Sequence, residues 1–285
     1  MKQDLSQKSQ PGSVFMMHLL FKNPVSMPDK NTMTSVMSKH LGDVDCFSFN
    51  DKVAAFAAKK YLSEFKDARI PPQLMIMGCN EFDPDTIDQL RKSQMWDCIE
   101  DRDRILSECR YQIFANDMMA ALPALQRADL DMNFMEALAE IFVDCEAVYF
   151  ENSGKLFTCE DIRNHNIPAE DRFIYFAVNV RFFNIRSTDD MVIDTLGMNV
   201  LYLPDIQYHF HGLDPEAVVN HAYNMAVYIF KNDNPINQGD TIDALENNEM
   251  STKVRWKCSY EDSLIQPSRE VIDIYTNQYA SGTRE

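Results

Sequence analysis

Three of the chain's six histidines lie within the sixteen residues "YHFHGLDPEAVVNHAY" (208–223): His209, His211 and His221. Side chains two apart on a strand point the same way. An H-x-H pair so placed chelates zinc or a similar ion when further donors converge on it. In "DIQYHFH" (205–211) that period puts Ile206, Tyr208 and Phe210 on one face and Gln207, His209 and His211 on the other. The large apolar trio claims the core, so the two imidazoles take the wetter face. His221 is the nearest third donor, on a helix whose buried stripe is Val218, Ala222, Met225 and Ile229, widened by Val219, Ala226 and Phe230. At about 100° per residue His221 falls outside that stripe, near its border. To reach the other two rings, the helix would have to pack on the face the hydrophobic pattern gives to water. The expectation is three solvated or hydrogen-bonded histidines, with no metal and no cofactor.

Other chemistry is absent by pattern. In "NDNPINQGDTID" an EF-hand alignment on Gly239 puts Ile236 and Leu245 at ligand positions, where neither can ligate through its side chain. "NSGK" (152–155) lacks the upstream glycine and following Ser/Thr of a phosphate loop. Adjacent acids such as Asp189 and Asp190 read as solvated rather than as a catalytic pair. Trp256 alternates with Val254 and Cys258, which places it in the core. A site assembled from scattered residues would draw on His209, His211, Asp240 and Thr241, which flank one predicted helix.

The elements that position these residues are those of a globular chain. Hydrophobic content is 45% and eight glycines are few for 285 residues, which disfavours Gly-rich nucleotide cradles. Seven cysteines with no C-x-x-C, several inside apolar runs, fit buried thiols in a reducing compartment. No run approaches a membrane span, "MKQDLSQKSQPG" lacks the apolar core of a signal peptide, and the cytoplasm is the expected location.

Alternating or continuous apolar runs predict strands at 13–21, 44–50, 71–79, 109–117, 145–158 (as a hairpin over "ENSG"), 172–186, 191–197, 205–211 and 252–260, with another at 269–276. Helical spacing predicts helices after Pro28, over 83–96 and 122–142, a short one at 159–165, and one from Asp214-Pro215 to Lys231. The run 53–65 is ambiguous, because alanine favours helix and its place in the pattern favours strand. Residues 232–250 read as a polar, acidic loop. The fold class is α+β, with largely antiparallel sheets, packed helices and two similar-sized α/β-sandwich halves as one arrangement. The expected division is a disordered leader 1–12, an N-terminal α+β domain 13–108, a C-terminal α+β domain 109–276 and a tail 277–285.

The C-terminal run "MVIDTLGMNVLYLPDIQYHF", "DPEAVVNHAYNMAVYIFKND", "INQGDTID" and "KVRWKCS" resembles the bacterial family called domain of unknown function 4261. The resemblance rests on Thr195 to Gly197, Pro204 to Ile206, Asp214 to Lys231, Gly239 to Ile242 and Lys253 to Lys257, and spans about residues 110–260. It implies a fold for that segment and no activity.

Charge points to a partner class. Lys+Arg 27 against Asp+Glu 44 leaves −17, split as −5 over residues 1–142 and −12 over 143–285. Such a field repels nucleic acid and anionic membranes and favours a basic protein. The expected function is that of an acidic, non-enzymatic binding protein, similar to an immunity or antitoxin protein that neutralises a basic toxin. Asp233, Asp240, Asp243 and Glu246 are its candidate contacts. The alternative is an enzyme, metal-dependent in one version, with a site built from scattered residues.

Overall fold

Leu19, Leu20 and Phe21 are all buried, so the run "SVFMMHLLF" is enclosed on both faces, as a central strand must be. A computed structural model describes residues 13–118 and 120–282 of the chain. It divides into two compact units, Met1–Ala177 and Val178–Glu285. The expected leader, residues 1–12, lies outside the described residues.

The strands of the first unit are β1 (Met16–Phe21), β2 (Val44–Phe49), β3 (Val53–Ala58), β4 (Ser63–Phe65), β5 (Ala68–Ile70), β6 (Gln73–Met77), β7 (Asn80–Glu81), β8 (Tyr111–Met118), β9 (Ala147–Phe150) and β10 (Lys155–Thr158). Its helices are α1 (Lys30–Leu41), α2 (Gln89–Ser93), α3 (Arg102–Glu108), α4 (Ala124–Ile141), α5 (Cys159–Asn164) and α6 (Arg172–Ala177). An antiparallel sheet runs β10-β9-β1-β8-β6-β3-β2, with β7 also on β8, while β4 and β5 form a separate hairpin. On one face, Asp117 of β8 meets Arg127 of α4, and Phe21 packs edge-on against Phe142 at the end of α4. On the other, Leu20, Tyr149 and Leu156 join Phe82, Ile87, Met95 and Ile105 in a core beneath the segment 82–109.

That second core explains a departure from sequence. Residues 83–96 are not one helix. They form a 3₁₀ turn (Pro84–Thr86), then α2 capped by Asp88, with a second 3₁₀ turn at Trp96–Cys98. Ile87 and Met95 are both buried, and the backbone restarts at successive aspartate caps to bring both inward. The ambiguous alanine run is β3, because Ala54, Ala55, Phe56 and Ala58 are all buried between β2 and β6.

The second unit contains β11 (Asn179–Asn184), β12 (Met191–Leu196), β13 (Asp205–Phe210), α7 (Pro215–Lys231), β14 (Thr241–Glu246), β15 (Glu249–Asp262) and β16 (Glu270–Tyr275). Its sheet runs β11-β12-β13-β16-β15-β14, antiparallel except for the β13–β16 pair. α7 starts where Asp214 accepts from the Glu216 amide, with Pro215 in the first turn. The fold is α+β, mostly antiparallel, as the sequence predicts.

Four expectations are corrected. The run 172–186 is α6 followed by β11, not one strand. Phe173 and Phe176 turn into the first unit's aromatic core beside Phe15 and Phe157, and the period of a continuous apolar run cannot show that turn. The acidic loop 232–250 contains β14, which turns into β15 through Asn247-Asn248, both at positive φ (54° and 65°). The boundary at 108/109 falls just before β8, which pairs with β1, β6 and β7, so the division lies at 177/178 and the units are unequal in length. The tail is partly structured, since Ala280 bridges Phe210. Residues 283–285 lie outside the described part.

Candidate functional site

The 205–210 strand alternates as predicted. Ile206, Tyr208 and Phe210 are fully buried beneath α7. His209 and His211 take the other face, but they do not face open water. The Tyr279 carbonyl accepts from the His211 amide (2.8 Å) and the Ser281 amide donates to the His209 carbonyl (2.9 Å), laying the C-terminal segment against them. Ser281 Oγ donates to Asp190 Oδ1 at 2.7 Å and lies 3.0 Å from His211 Nδ1. His209 Nε2 stands 3.7 Å from Asp190 Oδ2.

Serine, histidine and aspartate are thus side by side, yet proton placement rules out a nucleophilic triad. The hydroxyl's one proton goes to a carboxylate that can only accept, so His211 Nδ1 must donate to Ser281 Oγ. A serine with its base acting as donor is not activated for attack. The sequence reading of Asp190 as a solvated acid is thereby corrected, and Ser281 was missed because it lies 70 positions beyond His211.

His221 is on the opposite face. Its Nε2 donates to the Asp243 carbonyl (2.9 Å), since a carbonyl can only accept, which leaves Nδ1 to accept from Tyr208 Oη (2.7 Å). Trp256 lies 5.0 Å from the ring, and His221 is 1% exposed. The sequence expectation of a border position is therefore corrected: β14 and Trp256 extend the buried interface past the apolar stripe of α7. Burial holds His221 below the usual imidazole range, against the pull of the Asp243 carbonyl. The sheet separates His221 from His209 and His211. Among the described residues, no group of three or more His, Cys, Asp or Glu is placed to hold a metal ion.

The acidic candidates are mostly engaged within the chain. Asp240 accepts from the Asn237 amide (2.7 Å), Glu246 accepts from Ser251 Oγ (3.0 Å), and Asp243 is salt-bridged to Arg255, its register partner on β15. Asp233 is exposed at positive φ (52°). Thr241 pairs with Lys257 at the sheet edge. Two strands, β16 and β15, stand between β13 and β14, so Asp240 and Thr241 are about 14 Å or more from the histidine pair.

Beside the histidines runs a buried polar row. Arg181, Asp194, Gln207 and Asp273 sit in register on β11, β12, β13 and β16, and none is more than 4% exposed. Arg181 grips Asp194 with Nε and Nη2 (2.8 and 2.6 Å). Arg269 joins Asp194 (2.8 Å) to Asp205 (2.9 Å), and Asp205 also accepts from Thr195 Oγ1 (2.9 Å) and the Met198 amide (3.2 Å). The β15–β16 connection lies over the row: the Leu264 amide donates to Gln207 Oε1 (2.7 Å) and Arg181 Nη1 to the Gln266 carbonyl (2.9 Å). Burial raises the Asp205 carboxyl, with Arg269 opposing. For Arg269, burial works against the charge, but Asp205 and Asp194 outweigh it and the guanidinium is raised. Apart from Asp273 Oδ2, which has no hydrogen-bond partner among the described residues, these donors and acceptors meet one another inside the network, an arrangement that fixes the sheet and strap.

The first unit holds a different constellation, in a cleft of about 650 Å³. Glu136 and Glu140 lie one turn apart on α4. His40 of α1 places Nε2 2.8 Å from Glu140 Oε2 and Nδ1 3.6 Å from Glu136 Oε2. The Ile167 amide donates to His165 Nδ1 (3.2 Å), so His165 carries its proton on Nε2 and donates to Glu136 Oε1 (3.1 Å). Arg172 completes the pairing with Glu136. Lys39, then His40, hold the Glu140 carboxyl below its usual range. No linear spacing reveals this cluster, because its histidines are 125 positions apart.

Residues 194–275 match the family described as Domain of unknown function (DUF4261). The stretch runs from Asp194 through Asp273 and so takes in most of the polar row. No curated protein and no solved structure matches the chain.

Proposed function

We propose that the protein is a non-enzymatic binding protein that engages a basic protein through the acidic surface of its second unit, in the manner of an immunity or antitoxin protein. Charge carries this reading. Residues 178–285 contain eight Lys/Arg and sixteen Asp/Glu. Setting aside the buried network (Arg181, Arg269, Asp194, Asp205 and Asp273) leaves six basic and thirteen acidic side chains. Asp214, Glu216, Asp233, Asp240, Glu246 and Glu249 are among the exposed ones. A one-signed surface steers an oppositely charged partner and speeds encounter, more so at low salt. The rigid network beneath supports preorganised recognition. In this reading the protein works in the cytoplasm, where its seven free cysteines stay reduced.

The test is capture from native lysate at low and high salt, alongside the charge-reversed variant Asp233→Lys/Asp240→Lys/Glu246→Lys. A basic partner that is lost at high salt and lost by the variant is the expected result. An empty list, or a partner indifferent to both changes, would sink the proposal. The catalytic alternative lacks convergence at His209, His211, Asp240 and Thr241. Stoichiometric metal in the purified protein, removed by His209→Ala/His211→Ala, would restore it.

A further inference from the structure

We infer that the cleft of the first unit binds a small carboxylate with an apolar body, held by Arg163. This goes beyond the proposed partner surface and does not depend on it. Most charges around the cleft are answered from within. Arg172 and His165 pair with Glu136, while Lys39 and His40 pair with Glu140. Arg163 differs. Its Nε donates to the Ala139 carbonyl (2.9 Å) and its Nη2 to the carbonyls of Phe142 and Val143 (both 3.0 Å), at the C-terminal end of α4.

Three hydrogen bonds thus hold the guanidinium in place. Among the described residues it has no carboxylate partner, and its Nη1 has no protein acceptor. A carboxylate is the ligand group that supplies both a negative charge and an acceptor for such a donor. A ligand cation would instead meet Arg163 and Arg172 with both wall carboxylates already engaged.

The rest of the lining sets the ligand's body. Ala139, Val143, Ile162, Ile167 and Ala169 give the cleft an apolar side, and Val143 is 71% exposed, the most of any large hydrophobic side chain described. A ligand chain lying there removes that surface from water, at roughly 25 cal/mol per Å². The cleft volume of about 650 Å³ falls within the range of small-molecule sites. A charged head beside an apolar side calls for an aliphatic or aromatic monocarboxylate rather than a sugar, a nucleotide or a bare inorganic anion.

The protein is titrated at pH 7 with hexanoate, acetate, hexan-1-ol and hexylamine, by calorimetry and amide chemical-shift changes. The expected result is saturable hexanoate binding, with the other three at least tenfold weaker. Arg163→Gln should weaken hexanoate at least tenfold. Arg163 also caps α4, so Val143→Asp serves as the second variant: at an exposed position it should leave the melting temperature unchanged and still abolish hexanoate binding. Hexanoate binding no better than hexan-1-ol or hexylamine overturns the assignment, as does undiminished binding in Val143→Asp.

Discussion

Replacing Arg269 by alanine tests the buried network directly. The Arg269 side chain donates to Asp205, Asp194 and the carbonyls of Thr195, Ile265 and Pro267. Asp194 keeps its two bonds from Arg181, but Asp205, 1% exposed, loses the only cation among the described residues that touches it and keeps two neutral donors. Removing one partner of a buried pair costs about 3–5 kcal/mol, because the remaining charge stays out of water. For a unit of this size that corresponds to a fall in Tm of about 12 °C or more.

Trp256 makes the change readable. It is one of two tryptophans, buried in the second unit, whereas Trp96 is 47% exposed in the first, so a urea melt followed by fluorescence reports chiefly the second unit. The pH dependence supplies a second check. Burial already raises Asp205, and without Arg269 its pKa rises further. A carboxyl raised in the folded state keeps a proton that the unfolded chain releases above about pH 4. Its stabilising contribution is therefore present at low pH and lost as pH rises through the folded value. Arg269→Ala should then lose less stability at pH 5 than at pH 8, and adding Asp205→Asn should recover about 1–2 kcal/mol at pH 8. A total loss below about 1 kcal/mol, or one equal at both pH values, would refute the account.

Three further outcomes follow from single residues. Asp131 is fully buried with neither carboxyl oxygen hydrogen-bonded, and burial, reinforced by Asp117 against the pull of Arg127, raises its pKa well above the carboxylate range. Wild-type stability should decline as pH climbs from about 4 toward 8, and Asp131→Asn should flatten that slope in urea midpoints. Tyr208→Phe strips the donor from buried His221 Nδ1 and should cost about 1–3 kcal/mol by thermal melt, with no change in helix content. Gly282 has φ +78°, and a Cβ there would lie 2.9 Å from the His209 ring. Gly282→Ala should therefore loosen the C-terminal cover, speeding amide exchange at His211 and Ser281 about fivefold for ~1 kcal/mol.

How far the sequence was legible depended on whether a residue's surroundings came from its own segment. The period-2 pattern of 205–211 placed Tyr208 inside and His209 outside, because facing is a local property of an extended backbone. The start of α7 at Asp214-Pro215 and the hairpin over "ENSG" were readable for the same reason. The stripe on α7 was readable too, but its width was not, since β14 supplies the carbonyl that buries His221. The sequence could not show that Asp243 would be neutralised by Arg255, or that the end of the chain would return to cover His209 and His211.

By itself, then, the sequence determined the class of fold, the facing of the 205–210 strand, the resemblance of its C-terminal stretch and the sign of its charge. These follow from local periodicity, turn chemistry and composition. Only the tertiary structure decided which charges cancel and which remain. Arg181, Asp194, Gln207 and Asp273 form one row because four strands align them, and His40 meets Glu140 because α1 lies on α4. Among the described residues, Arg163 keeps one donor without a protein acceptor because α4 ends where it does. Electrostatic partners are set by distance through space, and a linear pattern carries no such distance until the chain has closed on itself.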